Sequence, residues 1–140
     1  MYKCKWFEIS ELVPPELMTL PEDYLWKLFD ENLLKVIDRL RDNLKVSITI
    51  NNWKSNGQYR LSGFRPKNCA IGAPNSCHKT GKACDMKFNG ISIYTAYDHI
   101  INNQHLYPEI KRIEDPNVTK IWLHIDTKVT NSNKIYVFKP

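Results

Sequence analysis

The sequence predicts an α+β fold, a single compact domain in which a mostly antiparallel sheet is backed by a long N-terminal helix. Three observations lead there. The chain has 140 residues, enough to bury a core without help from disulfides. Its first third carries an apolar stripe of helical period, and later segments carry short runs that alternate apolar and polar, the period of strands. The composition, 42% hydrophobic and 25% charged with no low-complexity tract, excludes an intrinsically disordered polymer. No internal repeat or linker divides residues 1–140, so one domain is expected.

Each element follows from its residues. Leu25, Leu28, Phe29, Leu33, Val36, Ile37, Leu40 and Leu44 recur mostly three and four apart, which predicts a helix over residues 21–43 and just beyond. Thr19 and Glu22 have capping-box spacing, and Pro21 suits a first helical turn. Val46, Ile48 and Ile50 alternate with Ser47 and Thr49 as a half-buried strand, and Tyr59 and Leu61 suggest a second one that Gly63 and Pro66 end. Residues 67–81 have no periodicity and are rich in Gly, Pro, Asn and Ser, the mark of a long loop with a function. Cys84, Met86 and Phe88 then alternate with Asp85 and Lys87 as a strand, and Ile93, Ala96, Tyr97 and Ile100 have helical spacing within residues 92–102. Residues 111–114, 120–128 and 134–138 are strand candidates, the first two separated by Asp115-Pro116-Asn117.

Bulk properties narrow the partners. A formal charge of +5 and a pI near 9.0 favour an anionic partner, whether nucleic acid, teichoic-acid-bearing wall or membrane surface. The basic residues are dispersed and no nucleic-acid motif occurs, so nucleic acid is not the expected partner. The N-terminus lacks the apolar run of a signal peptide, and no stretch approaches the roughly 20 apolar residues of a membrane span. Cytoplasmic synthesis without membrane insertion is expected. In that compartment Cys4, Cys69, Cys77 and Cys84 should be free thiols.

Chemistry concentrates in Ser76-Cys77-His78-Lys79-Thr80-Gly81-Lys82-Ala83-Cys84-Asp85, taken with Trp122-Leu123-His124-Ile125-Asp126. Two histidines and one carboxylate are the ligand types of a catalytic zinc site, which keeps its fourth position for water. Gly81 can reverse the chain between His78 and Asp85. In the later strand Leu123 and Ile125 share one face while Trp122, His124 and Asp126 share the other. That places Asp126 within reach of whatever His124 binds, as a positioning partner or a proton acceptor.

Ser62-Gly63-Phe64-Arg65 followed by Ser76-x-His78-x-x-Gly81-x-Ala83-x-Asp85 resembles the Ser-Gly-aromatic-Arg and Ser-x-His-x-x-Gly-x-Ala-x-Asp motifs of the zinc D-Ala-D-Ala carboxypeptidases and related phage endolysins. The opening residues 6–13 and the closing Trp122-Leu123-His124-Ile125-Asp126 resemble that family as well, so the likeness spans most of the chain. It implies a Hedgehog/DD-peptidase-like fold, zinc on His78, Asp85 and His124, and Arg65 facing the substrate. A planar guanidinium suits that place, since it can bind a carboxylate or stabilise an oxyanion. Ser76 would position the loop or touch substrate, and Trp122 would contact substrate from the site face. The implied activity is hydrolysis of a peptidoglycan stem peptide by a monomeric enzyme of phage or prophage source, acting on the wall after release. Terminal D-alanine removal and L-alanyl-D-glutamate cleavage both remain open.

The chain departs from the family pattern at the catalytic base. Many of those enzymes carry an acid or histidine a few positions before the last zinc histidine, whereas Thr119 to Leu123 include no carboxylate. Asp126, on the same strand face, is the first choice for the base, and Glu114, which a hairpin could bring alongside His124, is the second. The missing acid is also what a noncatalytic wall-binding or virion protein of the same fold would show. A structural zinc site on Cys69, Cys77, Cys84 and His78 is a further alternative, weakened by the lack of paired short spacing.

Overall fold

The apolar stripe folds as two helices. In the computed structural model, which describes residues 1–139, α1 is Glu22–Trp26 and α2 is Glu31–Leu44. Asp30 makes the break. Its carboxylate accepts from the Asn32 amide at 3.0 Å, capping α2, and from the Thr127 hydroxyl at 2.7 Å, while its own amide donates to the Gly81 carbonyl at 3.0 Å. An aspartate that caps and cross-links in this way cannot also continue a helix. The expected Thr19/Glu22 capping box does not form, because α1 begins after Pro21 with no side-chain cap. Beyond the break the stripe behaves as its spacing predicts: Leu33, Leu34, Val36, Ile37 and Leu40 are fully buried, and Lys45 ends α2 in the left-handed conformation.

Among the described residues, five strands form one mixed sheet: β1 (Ile48–Thr49), β2 (Ala83–Phe88), β3 (Arg112–Glu114), β4 (Leu123–Asp126) and β5 (Tyr136–Phe138), in the order β1-β2-β4-β3-β5. All pairs are antiparallel except β3 with β5. With α3 (Ile93–Asn102) and the short α4 (Pro116–Thr119) the fold is α+β. Ser92 caps α3 by accepting from the Thr95 amide. The single hydrophobic core joins the apolar face of α2 to Cys84 and Met86 of β2, Ile113 of β3, and Leu123 and Ile125 of β4.

Tyr59 and Leu61 do not form the expected strand. Asparagine side chains take the place of a strand partner: the Tyr59 amide donates to Asn52 Oδ1 at 2.8 Å and the Ser62 amide to Asn51 Oδ1 at 2.9 Å. The expected separator at Asp115-Pro116-Asn117 is itself the start of α4, capped by Asp115. Among the described residues, no helix is long and apolar enough to cross a membrane.

Candidate metal centre

Period-two alternation on two neighbouring strands builds most of the site. Cys84 and Met86 turn into the core, which aims Asp85 to the opposite face, and Leu123 and Ile125 do the same for His124 and Asp126. In the antiparallel register of β2 and β4, Asp85 lies directly across from His124, so their side chains meet as a cross-strand pair. His124 Nδ1 is 2.9 Å from Asp85 Oδ1.

His78 arrives from outside the sheet, on a single 3-10 turn at Cys77–Thr80. The Ser76 hydroxyl caps that turn by accepting from the His78 amide at 3.3 Å, the loop-positioning role open to it from the sequence. Gly81 closes it at φ 69°, where a Cβ would collide with the Leu28 carbonyl and Phe29, so only glycine fits. Residues 62–65 hold the turn against the sheet. Ser62 O accepts from the Asp85 amide at 2.8 Å, Gly63 O from His78 Nδ1 at 2.8 Å, and the Arg65 amide donates to His78 O at 3.0 Å.

The tautomers follow from these partners. A carbonyl can only accept, so His78 carries hydrogen on Nδ1 and presents Nε2 toward Asp85 Oδ1, 3.3 Å away. His124 Nε2 donates to Asp126 Oδ2 at 3.0 Å, which leaves Nδ1 facing Asp85. The three candidate ligand atoms lie within 4.8 Å of one another, on three buried residues. This group could hold a metal ion. Tetrahedral zinc with bonds of about 2.0–2.1 Å needs ligand atoms roughly 3.3 Å apart, and the two contacts of Asp85 Oδ1, 2.9 and 3.3 Å, fit that spacing. Two nitrogens turned toward one carboxylate oxygen also need a positive charge among them.

Without a metal, a proton on His124 supplies that charge. Burial opposes ionisation of His124, yet its bonds to Asp126 and Asp85 outweigh burial and raise it to about 9. Burial likewise opposes Asp85, and the two histidines outweigh it, holding that carboxyl well below the usual range. Because ligation needs neutral imidazole, metal binding at neutral pH must release the His124 proton.

The two candidate bases separate in space. Asp126, first choice from the sequence, is fully enclosed, and besides His124 it accepts from Arg112 Nε and Nη2 at 2.7 to 3.0 Å and from the Lys128 amide at 3.1 Å. A carboxylate so committed orients His124 and has no free lone pair facing solvent. Glu114 instead lines the open cleft, with Oε2 3.7 Å from His124 Nδ1. Burial raises its pKa above the ordinary glutamate value, and His124 only partly offsets this. Of the two, Glu114 is the one that lines the cleft.

The cleft, about 770 Å³, is also lined by Arg65, Ser76 and Trp122. Arg65 Nε is anchored on the Leu61 carbonyl at 2.8 Å, and Nη2 is 3.4 Å from Asp85 Oδ2. The cysteine cluster does not assemble: Cys84 is in the core, Cys77 contacts Arg112, and all four thiols are free. Among the described residues, His78, Asp85 and His124 are the group of three that could hold a metal.

Sequence reasoning missed two residues. Arg112 clamps Asp126, and Phe138 meets His124 edge-on at 5.7 Å while lying under Arg112 at 4.6 Å. Arg112 was findable, because alternation puts it on the same face of β3 as Glu114. Phe138 was not, since it depends on the parallel pairing of β5. Compared with known proteins, the chain matches no family model, no curated protein and no solved structure.

Proposed function

We propose that the protein is a zinc-dependent peptidase that hydrolyses a peptide of the bacterial cell wall. The observation that carries this reading is the convergence of His78 Nε2, His124 Nδ1 and Asp85 Oδ1 in the lining of a cleft of about 770 Å³. The resemblance of Ser62 to Asp85, and of Trp122 to Asp126, to the zinc D-Ala-D-Ala carboxypeptidases and phage endolysins supports it and supplies the substrate class. Zinc is the metal that best suits two imidazoles and one carboxylate with a position left open.

When bound, zinc lowers the pKa of a coordinated water toward about 7 and polarises a carbonyl. The chain does the rest. Glu114, on the open side of His124, accepts the proton of the attacking water, and its raised pKa brings it nearer the neutral range that suits a general base. Arg65, held by the Leu61 carbonyl, presents its guanidinium to the developing oxyanion. Asp126 and Arg112 hold His124 in one tautomer and orientation. Trp122 packs the substrate against the cleft wall. Synthesis in the cytoplasm and action on the wall after release, in a phage or prophage context, fit this reading.

Digestion of purified muropeptides by the zinc-loaded protein, followed by mass spectrometry, tests it. Release of terminal D-alanine or of a stem peptide, abolished in His124→Ala, is the expected result. No cleavage despite one zinc per chain would sink the peptidase reading for these substrates. It would leave the noncatalytic wall-binding role, which the absence of an acid between Thr119 and Leu123 also suits.

A further inference from the structure

The cleft does not end at the metal ligands. Arg112 and Lys128 line it and also line a second, more open groove whose far wall is the loop over residues 129–133 and whose side is Tyr136. Tyr136 and Phe138 lie two apart on β5 and so share a face. Their rings are parallel within 2°, with centroids 6.5 Å apart. Phe138 abuts His124, whereas Tyr136 is 53% exposed. An aromatic shelf thus runs from a candidate metal ligand out into the groove. Its edge strand pairs with β3 on one side.

The groove sets two cations, Arg112 and Lys128, beside an uncharged loop and one aromatic ring. Among the described residues, no carboxylate lines it. Arg112 is committed to Asp126, and Lys128 stands where groove and cleft join. The Thr130 and Ser132 hydroxyls brace the loop internally, while among the described residues the side-chain amides of Asn131 and Asn133 make no hydrogen bond. A flat aromatic face beside uncommitted amides is what a pyranose ring with an acetamido group needs: the ring's C–H face covers the aromatic, and its hydroxyl and amide groups meet the asparagines. A carboxylate on the ligand near the junction would meet Lys128.

We propose that the Tyr136–Phe138 shelf and the loop carrying Asn131 and Asn133 form a subsite for an N-acetylated sugar, continuous with the catalytic cleft. This deepens, and rests on, the cell-wall reading of the same cleft. A sugar seated there puts the scissile bond close to the glycan, which selects cleavage near the sugar-proximal end of the stem, the L-alanyl-D-glutamate position, over removal of terminal D-alanine.

Two measurements on the full-length protein test it. Chitotriose, the β-1,4-linked trimer of N-acetylglucosamine, is titrated and followed by amide NMR. Shifts should cluster at residues 128–138, and Tyr136→Ala should weaken binding about tenfold, as expected for loss of one aromatic contact. Asn133→Ala should weaken it independently, and Tyr94→Ala, on the remote α3, should leave it unchanged. Hydrolysis is then compared between a disaccharide-linked stem peptide and the same peptide free. A lower KM for the linked form, lost in Tyr136→Ala, is expected. Absence of chitotriose shifts, or shifts centred elsewhere, overturns the sugar subsite even where peptides are cleaved. Binding at the shelf without cleavage of any peptide upholds the subsite and overturns the peptidase reading instead.

Discussion

Neutralising each carboxylate beside His124 in turn separates holding the metal from moving the proton. Asp126→Asn keeps the shape of the side chain and removes its charge. Loss of the charged partner of a metal-binding histidine weakens metal affinity about 10- to 100-fold. The same change strands the Arg112 guanidinium, bonded to Asp126 at 2.7 Å with its side chain 22% exposed. Breaking a fully buried pair costs about 3–5 kcal/mol, and the partial exposure of Arg112 lowers this to about 2–3 kcal/mol. Glu114→Gln does neither, because Glu114 stands 3.7 Å from His124 Nδ1 and has no cation bonded to it among the described residues. It should bind zinc nearly as the wild type does and hydrolyse stem peptide about 10²–10⁴-fold more slowly. Competitive chelation gives the affinities, urea unfolding the stabilities, and hydrolysis at saturating zinc the rates. The assignment fails if Asp126→Asn binds zinc normally but is inactive while Glu114→Gln is fully active.

Arg65→Lys should lower kcat by about 10- to 100-fold at unchanged zinc content, because a lysine cannot both donate to the Leu61 carbonyl and face Asp85 as a planar fork; wild-type kcat would show that Arg65 does not meet the reacting carbonyl. Gly81→Ala should lose about 2–3 kcal/mol in urea unfolding, since φ is 69° and the new Cβ meets backbone at Leu28 and Phe29; unchanged stability would contradict that packing. In the metal-free protein His124 keeps its proton to about 9, against 6.5 for the ordinary group. Its stabilisation is therefore complete below pH 6.5 and lost as pH rises toward 9. Burial lowers Lys87 to about 8 from 10.5, so that group restores stability above pH 8. Tm should fall between pH 6.5 and 8 and flatten above, and saturating zinc should remove the fall; a flat metal-free profile over that interval would refute the protonated pairing.

What was legible in the sequence was what local periodicity encodes. The α+β class, the faces of β2 and β4 and the α2 stripe all depend on residues within a few positions of one another. The errors share a different cause. Asp30 breaks the predicted helix through bonds to Gly81 and Thr127, 51 and 97 positions away. Tyr59 and Leu61 have strand-like spacing, but Asn51 and Asn52 take up neighbouring amides. The strand face of Asp126 was legible, but only the pairing of β3 with β4 reveals Arg112 upon it. A sequence window shows which way a side chain points but not what already occupies the far side.

The charges around the centre explain why the two carboxylates differ. Arg112 answers Asp126, while Arg65 and the protonated His124 answer Asp85. A divalent cation that displaces the His124 proton adds one net positive charge to this arrangement, and the enclosed groups are already matched. Glu114, which lines the cleft and is paired with no arginine or lysine among the described residues, is the carboxylate whose charge is left to balance it. A cation taken up by these three residues would exchange charge with the His124 proton. The two carboxylates differ in their partners because Arg112 occupies the place on β3 that faces Asp126 rather than the place that faces His124.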